Sequence, residues 1–223
     1  MTWTTTMVRV RALATSNGSR GPGRATWLAL AIALTGSACR SEASTGAARA
    51  AASTSPPSTN DSLARAEAAA KRLGGTLRSK LEEAMTQGGA ARAIEVCASE
   101  AQAVAAKVRA DTGVTVGRAS RRLRNPVDGG PPWVGEWLLA QGARKAAEAK
   151  GVREIVDTPL GATARVLKPI EVEAKCLACH GAPEAIAPDV KAMLAARYPA
   201  DTATGYAAGD LRGALWAEAP ASR

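Results

Sequence analysis

Three closely spaced residues, Cys176, Cys179 and His180, form the pattern Cys-x-x-Cys-His. This pattern is typical of c-type haem attachment, in which both thiols bond to haem vinyl groups and the adjacent imidazole becomes an axial ligand of the iron. His180 is the only histidine among the 223 residues. The sequence therefore predicts one covalent haem c, held by Cys176 and Cys179, with His180 as the proximal iron ligand.

Two other uses of this motif compete with haem attachment. A thioredoxin-like redox pair requires a Cys-x-x-Cys that opens a helix after a strand, whereas the Gly-Ala-Pro sequence at 181–183 indicates a turn. A closed zinc site needs about four ligands, and Cys97 is the residue that could join Cys176, Cys179 and His180 in one. Zinc therefore remains the main alternative to haem.

The N-terminal segment has the organisation of a secretory signal peptide. Its first 26 residues contain four arginines and no acidic residue, and an unbroken apolar run covers Trp27 to Leu34. Small residues then precede Cys39. A basic region, a short apolar region and a small-residue cleavage site predict that residues 1–38 are removed after export. The apolar run is far shorter than the roughly 20 residues that span a bilayer.

Cys39 directly follows Ser37 and Ala38, which resembles the acylation site of a bacterial lipoprotein. Acylation of Cys39 would anchor the protein to the membrane by several lipid chains. The alternative is ordinary signal-peptidase cleavage after Ala38. Either route places the protein on the periplasmic side of a bacterial cell envelope, where c-type haem is attached, and we expect a membrane-anchored lipoprotein.

The basic charge of the chain is reduced by this processing. The formal net charge of +9 falls by four, to +5, when the signal-peptide arginines are removed. Export makes nucleic acid a poor partner despite the high pI of about 9.9. We expect the excess of basic residues to serve haem propionates, an acidic partner protein or an anionic membrane surface.

The remainder of the chain is predicted to be a tether followed by one domain. Residues 39–60 are rich in Ala, Ser, Thr and Pro, which predicts a disordered tether, and residues 61–223 have the length of a single domain. Helical and alternating apolar spacings then predict an α+β fold. The predicted helices are one from Asp61 to the Gly88-Gly89 pair, one from Ile94 to Val108, one over Val134–Lys150 and a short one over Pro188–Arg197. The predicted strands are Val114–Ala119, Val152–Asp157, Ala162–Ile170 and Leu211–Ala217.

Several segments together resemble a family of PAS-like c-type haem domains, first described in a cyanobacterial haem protein and long regarded as a domain of unknown function. The segments that carry the resemblance are Ala93–Cys97, Gly117–Ser120, Arg124–Pro126, Cys176–Gly181, Tyr198–Tyr206 and Gly209–Ala214. The resemblance implies a PAS-like antiparallel sheet with N-terminal helices and one haem. It also implies that a cysteine from an N-terminal helix is the distal iron ligand, which in this chain is Cys97.

Other roles and other ligands remain open at this position. Cys97 lies on an apolar helical stripe, so it could be a small buried hydrophobic residue or form a disulfide with Cys39. Met85 and Met193 are alternative iron ligands, and an open site is a third possibility. Two lysines, Lys175 and Lys191, would have to be neutral to bind iron.

Four arginines are candidates for the haem propionates: Arg118, Arg121, Arg122 and Arg124. Two tryptophans, Trp133 and Trp137, could line the haem pocket or pack in a core.

Three functions are consistent with these residues. A His/Cys-ligated haem has a low reduction potential, and loss of the Cys97 bond on reduction would make a redox or diatomic-gas sensor that signals to another protein. A periplasmic electron-transfer cytochrome c would keep both ligands in both redox states and pass electrons to a redox partner. An enzyme such as a peroxidase needs an open iron and an acid–base residue. We therefore predict a sensor, with electron transfer as the alternative and no enzymatic activity.

Overall fold

The computed structural model of the protein describes residues 58–222. The predicted signal peptide, Cys39 and most of the predicted tether therefore lie outside the described residues. Helices and one sheet alternate along the described chain. The helices are α1 (Thr59–Thr112), α2 (Pro132–Gln141), α3 (Leu177–His180) and α4 (Pro188–Arg197), and the strands are β1 (Thr115–Ala119), β2 (Val152–Thr158), β3 (Gly161–Glu171) and β4 (Leu211–Pro220).

Helix α1 is two antiparallel arms that meet at a glycine pair. Gly88 and Gly89 have non-helical backbone angles, and Gly89 has a φ of 64°, which a residue without Cβ adopts at little cost. The two arms, residues 59–87 and 90–112, are joined by an ion pair between Lys80 Nζ and Glu100 Oε2 at 2.6 Å. The predicted pair of helices with a break at these glycines is therefore confirmed.

The first arm begins at Thr59, two residues before the start that the sequence predicts at Asp61. Ser58 is the N-cap, and its hydroxyl accepts a hydrogen bond from the backbone N–H of Asp61 at 3.2 Å. The Asp61 carboxylate in turn accepts a hydrogen bond from the Ser58 backbone N–H. This reciprocal capping box satisfies N–H groups that an open helix end leaves without partners. Asp61 is thus the acidic partner in the cap and not the cap itself.

The four strands form one antiparallel sheet in the order β1-β4-β3-β2. Strands β2 and β3 are consecutive and form a hairpin, with Thr158 paired to Gly161. Strand β4, the last in the chain, inserts between β1 and β3. All four strands were predicted from the sequence within a few residues, and the α+β class with an antiparallel sheet and N-terminal helices is confirmed.

The sheet is covered on both faces. Both arms of α1 pack on one face in an aliphatic cluster that includes Leu73, Val108, Val166 and Ala217. Alternation along the strands turns neighbouring side chains to the opposite face. There α2 packs in a second cluster formed by Ala119, Val134, Leu138, Leu167 and Ala214. A third cluster joins α4 to the second arm of α1.

The prediction of a helix over Val134–Lys150 is wrong in its second half. Helix α2 ends at Gln141, and Gly142 follows with a φ of 61°. The chain then runs beside the segment before β4, because Lys145 forms a bridge with Asp210 and the Ala146 N–H donates to the Gly209 carbonyl at 2.9 Å. These tertiary hydrogen bonds outweigh the helical preference of an alanine-rich stretch. Within residues 58–222, no helix has the length and apolar character needed to cross a membrane.

Candidate metal centre

The Cys-x-x-Cys-His motif lies on a compact helical turn. Cys176 ends a 3-10 turn and α3 follows immediately, ending at His180. Gly181 then lets the chain leave the helix, since a Cβ there would lie 2.6 Å from the Leu177 carbonyl oxygen. Cys176 and Cys179 are half-buried and carry free thiols. Their spacing of three residues directs both thiols to the same side of the helical turn.

The His180 ring is held by a backbone carbonyl. Its Nδ1 lies 2.6 Å from the carbonyl oxygen of Ala203. A carbonyl oxygen only accepts hydrogen bonds, so Nδ1 carries the proton and Nε2 keeps its lone pair. Burial, together with the nearby guanidinium groups of Arg212 and Arg124, lowers the pKa of His180 to about 3. The imidazole is therefore neutral at physiological pH, and Nε2 has the electronic state of a metal ligand.

Residues 203–206 hold the end of the motif by backbone hydrogen bonds. The backbone N–H of Tyr206 donates to the His180 carbonyl at 3.0 Å, and the N–H of Gly205 donates to the Gly181 carbonyl at 2.7 Å. The Tyr206 ring meets the His180 ring edge to face, with centroids 6.3 Å apart. The Tyr198–Tyr206 segment, which carries part of the family resemblance, thus serves to position His180.

Cys97 lies in the same neighbourhood. It is half-buried on the second arm of α1, between Ile94 and Ala98, which pack in the α4 cluster together with Cys179. Burial raises the pKa of the Cys97 thiol, and Arg118 and Arg124 oppose that rise. Charge on Cys97 also contributes to the raised pKa of Cys179. Cys97, 82 residues before Cys179 in the chain, therefore lies in the neighbourhood of the Cys-x-x-Cys-His motif.

The alternative ligands differ in their placement. Met193 packs partly buried against the same α4 cluster as Cys179, so it remains near the motif. Met85 is 37% exposed near the end of the first arm of α1. Lys175 contacts Glu82 at 2.6 Å and Glu173 at 3.4 Å, and these carboxylates raise its pKa, so its amine stays charged. Lys191 is exposed.

The arginines predicted to serve propionates have different environments. Arg118 pairs with Asp128 at 3.0 Å, and Arg124 pairs with Asp201 at the same distance. Arg122 donates to the carbonyls of Thr204 and Gly205 and lies 4.5 Å above the Tyr206 ring. Arg121 is exposed. A basic cluster near the motif therefore exists, although two of its members already have carboxylate partners.

Sequence reasoning missed Arg212, a further arginine of this cluster. Its guanidinium group lies 5.4 Å from the centre of the Tyr206 ring and bonds to Ser120 Oγ and the Arg122 carbonyl. Burial lowers its pKa, although an arginine remains charged. The signal was present in the Gly-Asp-x-Arg-Gly segment, but only the fold shows that this arginine faces the histidine side of the site.

Gly213 fixes Arg212 by allowing strands β1 and β4 to approach. A Cβ on Gly213 would lie 2.1 Å from the Ala119 carbonyl oxygen, a backbone atom that cannot rotate away. We expect Gly213→Ala to lower the free energy of unfolding by about 1–3 kcal/mol, measured by urea denaturation. Gly135→Ala is the control, because a Cβ there meets no atom within 4 Å in helix α2 and should stabilise by about 0.5–1 kcal/mol. Equal effects of the two substitutions would contradict the close strand approach.

The two tryptophans belong to the core on the α2 face of the sheet. Trp133 and Trp137 pack against the cluster that contains Leu167 and Ala214. Arg165 stacks over Trp133 with its guanidinium carbon 5.0 Å from the ring centre, and Trp137 donates to the Lys150 carbonyl at 3.0 Å. Of the two roles considered for these residues, the structure supports core packing.

The donor set fits a covalent haem. The motif supplies two free thiols and a neutral imidazole whose Nε2 carries a lone pair. A third thiol, Cys97, and a basic cluster suited to two carboxylates lie in the same neighbourhood. Iron in haem needs only two axial protein ligands. Among residues 58–222, no group of three or more His, Cys, Asp or Glu residues is arranged to hold a bare metal ion.

Comparison with known proteins gives one family. The model of the Tll0287-like family matches residues 47–220. The crystal structure of the cyanobacterial haem protein Tll0287 is similar to this chain with 22% sequence identity and a TM-score of 0.46, over 66% of this chain and 92% of the other. No curated protein matches the sequence.

Proposed function

Because the chain belongs to the Tll0287-like family, we propose that it is an exported mono-haem c-type protein that senses a redox change or a diatomic gas. Cys176 and Cys179 form the thioether bonds, and His180 is the proximal iron ligand. The distal ligand is Cys97. The observation that supports this proposal is that Cys97 lies beside Ala98, in the cluster of α4 and α1 residues against which Cys179 also packs.

The proximal side is prepared by hydrogen bonds within the protein. Ala203 accepts the Nδ1 proton of His180 at 2.6 Å, which holds the ring in the tautomer that presents Nε2. A hydrogen bond of this kind also strengthens the donor character of the ligating nitrogen. His180 can therefore bind iron without first losing a proton.

The proposed distal ligand, Cys97, is not held in its metal-binding state. Burial raises the pKa of the Cys97 thiol, so binding to iron must displace its proton. When bound, the haem supplies one-electron redox chemistry and a coordination position that a diatomic gas can take. Cys97 holds that position strongly as a thiolate only while the iron is oxidised, since added electron density weakens a thiolate ligand.

Cys97 also connects the iron to a long structural element. It lies eight residues after Gly89, the point at which the two arms of α1 meet. Release of its thiol removes one restraint between the second arm and the motif, and the α4 cluster around Ile94 provides the surface that can adjust. A local bond would thus act as the trigger and the position of this arm as the readout.

The proposed setting follows from the N-terminal sequence. Residues 1–38 direct export, Cys39 carries the lipid anchor, and the domain works on the periplasmic side of the envelope. Its partner is a signalling protein or a redox partner and not a nucleic acid. We propose no enzymatic activity, because the chain has no second histidine to serve as an acid–base group beside the iron.

Electron paramagnetic resonance of the oxidised, haem-loaded protein tests the ligand pair. We expect a low-spin signal of the thiolate type that is lost in Cys97→Ser. Met193→Leu is the matched control, because Met193 also packs against the cluster that contains Cys179, and it should leave the signal unchanged. An unchanged signal in Cys97→Ser, or its loss in Met193→Leu, would overturn Cys97 as the ligand.

Carbon monoxide binding separates a sensor from an electron carrier. A sensor that releases Cys97 on reduction should bind carbon monoxide in the ferrous state at a rate close to that of Cys97→Ser. An electron carrier keeps its ligands, so the ferrous wild-type protein would bind carbon monoxide far more slowly than the variant. That second result would favour the periplasmic electron-transfer function.

A further inference from the structure

An ion pair between two loops lies behind the motif. Arg124 Nε and Asp201 Oδ2 are 3.0 Å apart, and their side chains are only 12% and 11% exposed. Every other ion pair within residues 58–222 includes at least one side chain exposed by 25% or more. Burying two charges is costly unless further hydrogen bonds satisfy them. The remaining contacts of this pair therefore indicate what it holds in place.

Arg124 reaches the residues on both sides of the His180 ring. One of its terminal nitrogens donates to the Cys179 carbonyl at 2.5 Å and to the Ala203 carbonyl at 3.4 Å. The other terminal nitrogen is 3.5 Å from His180 Nε2. One planar guanidinium group thus links the residue before the histidine, the carbonyl that accepts its proton and the ring itself.

Asp201 holds the other backbone group of Ala203, its N–H. Its Oδ1 accepts a hydrogen bond from the Ala203 backbone N–H at 2.7 Å, while Oδ2 accepts from Arg124. The neighbouring Thr202 donates its N–H and its hydroxyl to the Leu123 carbonyl at 2.8 and 3.1 Å. Ala203 is therefore held at its N–H by Asp201 and at its carbonyl by Arg124.

From these contacts we infer that Arg124 and Asp201 form a positioning pair that fixes the tautomer and orientation of His180 through the Ala203 peptide. This role goes beyond the propionate contact expected for Arg124, and its use in iron binding rests on the proposed haem function. The positioning of His180 requires arginine, because a lysine ammonium group cannot present several donors in one plane to a carboxylate and two carbonyls. Neither residue is a ligand in this role.

The tautomer can be measured on one residue, because His180 is the only histidine. Histidine-selective ¹⁵N labelling of the full chain, prepared without haem, gives one pair of ring-nitrogen signals. We expect the wild-type protein to show the proton on Nδ1. In Arg124→Gln the ratio of the Nδ1–H form to the Nε2–H form should fall about tenfold, the effect of losing roughly one charge-assisted hydrogen bond. Arg124→Lys should restore only part of it.

Arg165→Gln is the matched control for the loss of an arginine from an ion pair. Arg165 pairs with Glu218 at 3.0 Å across strands β3 and β4, and its side chain is 22% exposed. This control should leave the His180 tautomer ratio unchanged. If Arg124→Gln fails to fold, Asp201→Asn decides the question, since its amide oxygen can still accept the Ala203 N–H while the charge is lost. We expect a tautomer ratio between those of wild type and Arg124→Gln.

A wild-type tautomer ratio in folded Arg124→Gln and in Asp201→Asn would overturn the positioning role, as would an equal change in Arg165→Gln. These results do not depend on haem. If Cys97→Ser leaves the paramagnetic resonance signal of the loaded protein unchanged while Arg124→Gln alters the tautomer ratio, the proposed ligand pair fails and the positioning pair stands. The reverse pattern would leave the ligand pair and remove the positioning role.

Discussion

Replacing Cys176 and Cys179 together by serine is expected to abolish covalent haem attachment. Only a thiolate is nucleophilic enough to form the thioether bonds, and a serine hydroxyl at neutral pH is not. Both cysteines are free and lie on one short turn of the chain, so each contributes one bond. Intact mass spectrometry of denatured protein, produced in a bacterium that matures c-type cytochromes, should show one haem on wild type and none on the double variant.

The matched control is Cys97→Ser, which removes a third half-buried thiol from the same region. It should retain a full haem mass, since an axial ligand is not needed for the thioether bonds. Single substitution of Cys176 or Cys179 should leave one bond and a lower yield of haem-bearing protein. A covalent haem on the double variant, or its loss from Cys97→Ser, would show that attachment occurs elsewhere.

The largest expected loss of stability comes from Leu73→Ala, at about 2–5 kcal/mol in the free energy of unfolding. Leu73 is 1% exposed and packs where the first arm of α1 meets the sheet. Truncation removes apolar contacts from the cluster that includes Val114 and Val166 and leaves a cavity that backbone atoms of a helix and a sheet cannot fill. Chemical denaturation followed by circular dichroism gives the value.

Leu160→Ala serves as the control for this substitution. Leu160 lies at the tip of the β2–β3 hairpin and is 98% exposed, so its truncation should change stability by no more than about 0.5 kcal/mol. Haem attachment should be unaffected by either variant, because the motif does not contact Leu73 or Leu160. A change below about 1 kcal/mol in Leu73→Ala would contradict the packing of α1 on the sheet.

Most elements of the fold were predictable because their patterns are local. The break at Gly88 and Gly89, the turn between Thr158 and Gly161 and the alternation along β4 each depend on residues a few positions apart. The end of α2 was not predictable in this way. The stretch after Gly142 favours a helix by composition, but it forms only a short 3-10 turn at Ala146–Glu148 and is held by hydrogen bonds to the segment before β4.

The site, too, was predictable only where its pattern is local in the sequence. The Cys-x-x-Cys-His motif was predicted from residue types at a recognisable spacing, whereas the candidate role of Cys97 came from the family resemblance. The family match confirms the family itself. The Ala203 carbonyl was missed because a backbone acceptor has no side-chain signature in a sequence. The pairing of Arg124 with Asp201 was missed because 77 residues separate them, although both lie in segments that carried the family resemblance.

The wide separation of these groups along the chain has a consequence for biogenesis. The attachment motif occupies five consecutive residues, so it is complete in an unfolded chain. The groups that flank it belong to α1, to the loop after β1 and to residues 201–206, and bringing them together closes loops of 23 to 83 residues. Contacts this distant in sequence form late in folding, because loop-closure entropy must be overcome first. We therefore expect the maturation machinery to act on the newly translocated, still unfolded polypeptide, with closure of the loops around the tethered cofactor as the slow final step.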